Sequence, residues 1–290
     1  MKKHIRQILD FFIYTHIFIA FCAIAQGLVT YYLLRAQIDK NILAILFFST
    51  VAMYNFGVLL SKPSKAQNST SPRVNWIFDH IGLIKCLTFL AVVSLTLLTI
   101  FISSTSRILL LFLAILSIAY NLPLLKINSK WMNLRNVPGL KLLLIALVWS
   151  VSCVILPIVE LQVRQITIIS AGHALILFAN RFLFFAAIAI PFDIRDKFQD
   201  KKYGLKTIPV LFGEKKAYNF CLFLLAGYLL LLFLLTQHFD LNFFALLIAI
   251  IFTWWLIFRF NRKFSDYYYF LYLDGTMILQ FVMLLLVVSI

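Results

Sequence analysis

The segment Pro191-Phe-Asp193-Ile-Arg195-Asp196-Lys-Phe-Gln-Asp200-Lys-Lys-Tyr-Gly204-Leu-Lys206-Thr207 carries three aspartates at the end of a long apolar run. Their spacings are those of one helical face: at roughly 100° per residue, Asp193 and Asp200 differ by only about 20° around the axis. Carboxylates this close repel one another unless a cation sits on them. Arg195, Lys197, Lys201, Lys202 and Lys206 surround the cluster, so a ligand arriving with that cation should itself be anionic. Mg²⁺ is held by one or two carboxylates together with phosphate oxygens of a substrate. A magnesium diphosphate meets both requirements.

Working outward, the chain is 63% hydrophobic and 13% charged, with a mean hydropathy of +0.96 over 290 residues. That composition excludes an ordinary soluble domain. Apolar runs long enough to cross a bilayer, about 20 residues each, occur at approximately 11–34, 41–61, 80–103, 107–125, 138–160, 166–192, 217–237, 241–260 and 267–290. The expectation is an all-α, multispanning membrane bundle of about nine helices. The first run is too long for a signal-peptide core and lacks a small-residue cleavage site, so it is read as the first span.

The basic residues orient the bundle. With the N-terminus in the cytoplasm, most of the 26 Lys and Arg fall on that side, while Arg35, Lys40, Arg107 and Arg164 fall opposite. The positive-inside rule therefore makes the aspartate end cytoplasmic, and the expected location is a bacterial plasma membrane. A net charge of +15 is explained by this topology and by attraction to anionic lipid, and no nucleic-acid motif is present. The longest cytoplasmic connections, about 61–79 and 193–216, make that face the working one. The cysteines Cys22, Cys86, Cys153 and Cys221 lack metal-type spacing and read as small packing residues.

These features together resemble the UbiA superfamily of intramembrane prenyltransferases. The resemblance rests on the span count, on Asp193-x-x-Asp196-x-x-x-Asp200 followed by Gly204-Leu-Lys206-Thr207-Ile-Pro209-Val-Leu-Phe-Gly213, and on Ala119-Tyr120-Asn121-Leu-Pro123-Leu-Leu-Lys126 at the end of the fourth span. It covers nearly the whole chain, so 1–290 is expected to be a single transmembrane domain. It implies transfer of a prenyl group from a prenyl diphosphate to a hydrophobic, often aromatic, acceptor, with Mg²⁺ as cofactor. By position, Asp193, Asp196 and Asp200 become the catalytic and metal carboxylates. Lys126, Arg195 and Lys206 become diphosphate contacts. Membrane lipid is the remaining expected partner, and the acceptor is not selected by any residue.

One element departs from the family pattern. The first motif, Asn-x-x-x-Asp-x-x-x-Asp, corresponds to Asn55-Phe-Gly-Val-Leu59-Leu-Ser-Lys62-Pro63. Asn55 is retained as a metal or diphosphate contact, but Leu59 and Pro63 cannot ligate a hard cation. Two accounts follow: a diphosphate bound with one Mg²⁺ and extra lysines such as Lys62 and Lys65, with Lys62, Lys65 or Arg73 in direct contact with phosphate, or a fold that binds isoprenoid or lipid and has lost the chemistry. A transporter is a more remote alternative, since few of the nine glycines fall inside spans, where transporters break their helices.

Two charges lie within spans. Arg181 is about 18 Å below Asp193 along its helix, and Asp274 is roughly 10 Å into the last span, at 1.5 Å per residue. Buried membrane charges pair or line a polar cavity, so an Arg181–Asp274 ion pair facing the interior is expected. Tyr267, Tyr268, Tyr269 and Tyr272 are expected to form an interfacial belt.

Overall fold

The computed structural model describes residues 2–60, 72–127, 130–137, 139–202, 204–236, 239–259 and 265–288. In chain order the helices begin with α1 (Lys2–Tyr14), α2 (Ile17–Leu33), α3 (Lys40–Leu60), the short α4 (Pro72–Asp79), α5 (Ile81–Leu98) and α6 (Ser104–Asn121). A two-stranded antiparallel hairpin, β1 (Pro123–Ile127) and β2 (Lys130–Asn133), leads to α7 (Leu140–Ser150), which runs through a π turn into α8 (Leu156–Val163). Then come α9 (Ala171–Lys202), α10 (Ile208–Phe212), α11 (Glu214–Thr236), α12 (Leu241–Phe258) and α13 (Asp274–Val288) behind a π turn from Tyr268. Among the described residues, eight helices are long and apolar enough to cross a membrane, or nine if the α1–α2 pair is one span. The chain is an all-α, multi-pass membrane bundle, with the small hairpin as an addition the sequence did not announce.

Helix α9 is the centre: 56% of its apolar window is buried, against 11% for α5 and α6. Acyl chains are as apolar as leucine, so hydrophobicity does not tell helix from lipid, and small residues and close packing decide which faces meet. Thus α2 buries Ala20, Cys22, Ala23 and Ala25. At Gly27 a Cβ would lie 2.7 Å from Leu46 Cδ1 of α3, so this crossing depends on the missing side chain.

Three expectations are corrected. The first apolar run is not one straight span, because α1 and α2 meet at 64°. Thr15 Oγ1 donates to Phe11 O at 2.6 Å, and His16 takes a left-handed φ of 63°; a hydroxyl competing for the backbone and a strained residue together break the helix. Secondly, the connection drawn at 193–216 begins later than expected, since α9 continues through Pro191 to Lys202 and carries the aspartates on the helical face their spacing required. Proline cannot donate to the carbonyl four residues back, and Ala187 O instead accepts from Cys221 Sγ of α11 at 3.6 Å.

The third correction concerns the buried charges. Arg181 and Asp274 both face the interior, 0% and 7% exposed, yet they do not pair. Arg181 Nη1 donates to Gln280 Oε1 at 2.7 Å and to Tyr228 Oη at 3.3 Å. Gln26 Nε2 reaches the same Gln280 oxygen at 3.2 Å and Met277 O at 2.9 Å. A neutral amide oxygen therefore serves where a carboxylate was expected. The tyrosine belt is likewise only partial: Tyr272 is exposed, Tyr269 is fully buried, and Tyr267 donates to Asp10 of α1.

Candidate functional site

The aspartate end of α9 is built by helix geometry. Asp193 and Asp200 share a face and are 4% and 5% exposed. Lys141, on the first turn of α7, lies between them, with Nζ 2.7 Å from Asp193 Oδ1 and 3.7 Å from Asp200 Oδ2. The cation demanded by the clustered carboxylates is supplied by the chain itself. Burial pushes the Asp200 carboxyl above its ordinary range against the opposing pull of Lys141. Gly204, at φ 72°, then ends α9, and Leu205 N donates to Asp200 O at 2.8 Å, a left-handed cap that turns the chain toward α10.

Asp196 points elsewhere. Arg195 clasps it in a fork, Nε to Oδ1 at 2.8 Å and Nη2 to Oδ2 at 3.2 Å. The same guanidinium lies over the Tyr269 ring at 4.6 Å. Among the described residues, no group of three or more His, Cys, Asp or Glu side chains is placed to hold a metal ion. The three aspartates thus form a Lys141-bridged pair and a separate Asp196–Arg195 pair.

The other expected residues are distributed as follows. Asn55, on α3, is fully buried and holds His16 Nδ1 at 2.7 Å through its Oδ1. Lys206 lines a small pocket with Asp193, Lys141, Thr207 and Arg135. Lys126 lies in β1 opposite Trp131, with its side chain outside the described atoms. Lys62 and Lys65 lie outside the described residues.

A cavity of about 420 Å³ adjoins this pocket. One end carries His16, Arg73, Arg135, Tyr120 and Asn121, and the walls are apolar residues of α3, α5, α6 and α7, including Leu46, Leu95, Leu113, Val148 and Trp149. Arg135 lines both spaces. It is delivered by the hairpin, which is tied beneath α6 by Asn133 Nδ2 donating to Asn121 O at 2.6 Å. Arg73 is delivered by α4, where Ile77 and Trp76 pack against Ile13 and Tyr14 of α1, and its guanidinium sits 4.4 Å from the centre of the Phe270 ring.

Lys141, Arg135 and His16 were not singled out by sequence. The two cations read only as positive-inside residues, and the sole signal for His16 was a polar Thr15-His16 step inside an apolar run. Chemically, the arrangement offers a cationic mouth on an apolar chamber, beside a carboxylate pair that already holds one positive charge.

Solved structures share this architecture. A UbiA homologue from Archaeoglobus fulgidus bound to GPP and Mg²⁺ matches with a TM-score of 0.67 at 14% identity, over 97% of this chain and 100% of that one. An apo UbiA homologue from Aeropyrum pernix K1 gives 0.62 at 13% identity, over 93% and 95%. A structure of digeranylgeranylglyceryl phosphate synthase gives 0.58 at 14%, over 97% and 98%. No curated protein matches the sequence. The profile of the UbiA prenyltransferase family matches residues 82–268, a stretch that includes the α9 aspartates, the hairpin and most of the chamber wall. On that match over well more than half of its length, the chain belongs to the UbiA prenyltransferase family.

Proposed function

We propose that this protein binds a prenyl diphosphate at the mouth of the 420 Å³ chamber and transfers the prenyl group to a hydrophobic acceptor. The observation that carries this reading is the polarity of the chamber: Arg73 and Arg135 at one end and hydrocarbon at the other match an amphiphile with an anionic head and an isoprenoid tail. Breaking the allylic carbon–oxygen bond develops negative charge on the departing diphosphate. Fixed cationic donors at that point lower the barrier, and Arg73, Arg135, Lys206 and Lys141 are cations around it among the described residues. Tyr54, Tyr120 and Trp149 line the chamber, and aromatic rings suit a transient allylic cation. In this reading the basic end lies on the cytoplasmic side of a bacterial plasma membrane, supported by the excess of Lys and Arg in the connections at that end.

Mg²⁺ is part of the proposal in a limited form. Asp193 and Asp200 already share one ammonium, so the pair suits a single hydrated cation completed by phosphate oxygens. When bound there, the metal would neutralise charge on the leaving group. The test is incubation of the purified protein in lipid with geranyl and longer prenyl diphosphates, Mg²⁺ and candidate lipid acceptors. Release of diphosphate with a prenylated product is expected; binding without release in every combination would instead support a non-catalytic isoprenoid binder. That second reading is favoured by one observation, the engagement of all three α9 aspartates by Lys141 and Arg195.

A further inference from the structure

We infer that the α3 side of the diphosphate site is charged by an arginine rather than a metal, so that the ligand binds with no more than one divalent cation. The inference rests on the reading proposed above. It begins with the polarity of Asn55. Arg73 Nη2 lies 3.3 Å from His16 Nε2, and His16 Nδ1 lies 2.7 Å from Asn55 Oδ1. A guanidinium only donates, so Nε2 must accept; the ring proton is therefore on Nδ1 and is donated to Asn55 Oδ1. The oxygen that could have faced a cation is already used as an acceptor, inside the protein at 0% exposure.

The rest of α3 agrees. Four residues on from Asn55 the side chain is Leu59, which offers no oxygen. Mg²⁺ is held by carboxylates together with phosphate oxygens, and among the described residues of α3 there is no Asp or Glu. The positive charge beside it comes from Arg73 of α4, held by the neutral His16 ring. His16 and Arg73 both line the cavity. The ring of His16 is held there at a left-handed φ of 63° and 4% exposure, an unfavourable backbone state that persists only where the surroundings impose it. Arg73 is fixed from its other side by the Phe270 ring at 4.4 Å. A planar guanidinium suits phosphate through paired N–H donors. A divalent ion beside it would meet like charge. His16 is a positioning residue in this scheme: it accepts from Arg73 and transmits the constraint of Asn55.

The experiment titrates the full chain in lipid nanodiscs with geranyl diphosphate and with inorganic pyrophosphate across free Mg²⁺, including a chelator. For the wild type the slope of log affinity against log free Mg²⁺ is expected to reach one at most, with binding still measurable in chelator. Arg73→Gln should weaken binding about tenfold or more both in chelator and at saturating Mg²⁺, as expected for loss of a charged hydrogen bond. His16→Phe should weaken it in the same way, while His16→Gln, which keeps an acceptor for Arg73, should restore most of the loss. Arg135→Gln gives an independent variant at an exposed position should Arg73→Gln fold poorly, and it too should lower affinity in chelator. A slope of two, or binding in chelator unaffected by Arg73→Gln and Arg135→Gln, overturns the inference while leaving the prenyl diphosphate reading standing. No wild-type binding at any Mg²⁺ concentration overturns both.

Discussion

Lys141 Nζ stands 2.7 Å from Asp193 Oδ1, making an α7 lysine the counter-ion of the aspartate that opens the α9 motif. The lysine is 20% exposed at its side chain and the aspartate 5%, so the pair is mostly, though not wholly, withdrawn from water. Removing one member of such a pair leaves the other charge uncompensated.

Lys141→Met is therefore expected to destabilise the protein by about 2–3 kcal/mol, because Asp193 and Asp200 then face each other without a cation. Mg²⁺ should recover part of that loss. Thermal unfolding in detergent, with and without Mg²⁺, checks both points: the metal-induced rise in midpoint should be larger in the variant than in the wild type. Equal rises would show that Lys141 and a metal do not compete for the carboxylates.

The interior arginine gives a contrasting expectation. Arg181 is paired with the neutral Gln280, and a buried charge with a hydrophobic replacement of similar length is often neutral or better. Arg181→Met should be tolerated, whereas Gln280→Leu should destabilise by about 2 kcal/mol by stripping the guanidinium of its acceptor. In double-mutant cycles, Arg181 should couple to Gln280 by about 1–2 kcal/mol and to Asp274 by less than about 0.5 kcal/mol. Strong coupling to Asp274 would revive the ion pair that the structure lacks.

Pro191 and Cys221 should be linked through one carbonyl. Ala187 O accepts from Cys221 Sγ because position 191 has no N–H to offer. Cys221→Ala should cost about 0.5–1 kcal/mol in the wild type and almost nothing in a Pro191→Ala background, where the backbone donor returns. Unfolding midpoints of the four proteins decide it.

Tyr267 carries the pH prediction. Burial first, and then its bond to Asp10, raise its phenol above the ordinary value of 10.0. A folded pKa above the unfolded one means the folded state holds the proton longer, so the contribution is intact below about pH 10 and is lost as pH rises through the folded pKa. Tyr267→Phe should lower stability at neutral pH, where the Asp10 bond is lost, and flatten the alkaline fall above about pH 10. Parallel alkaline slopes in the two proteins would refute it.

The legibility of this chain divides along physical lines. Spans are legible because a bilayer core demands about 20 apolar residues whatever the neighbours do, and the runs reappear as α3, α5 to α9 and α11 to α13 with modest shifts at their ends. The alignment of Asp193 with Asp200 was also legible, since helical periodicity alone sets it. The break at Thr15 and His16 was not, because a helix former's preference is overridden there by a hydroxyl back-bond and by the pull of Asn55 across 39 residues.

What answers the charges was decided only by tertiary structure. The sequence by itself determined that the α9 carboxylates need a cation, that Arg181 must face inward, and that Leu59 leaves the α3 motif without an oxygen at its expected ligand position. It could not say that the cation is Lys141, 52 residues earlier than Asp193, or that Arg181 would take Gln280 rather than Asp274. Charge requirements are set by the local chain and the dielectric around it. Partners are set by which helices pack side by side, and between lipid-embedded helices that choice follows from side-chain size and fit, which carry no periodic signature.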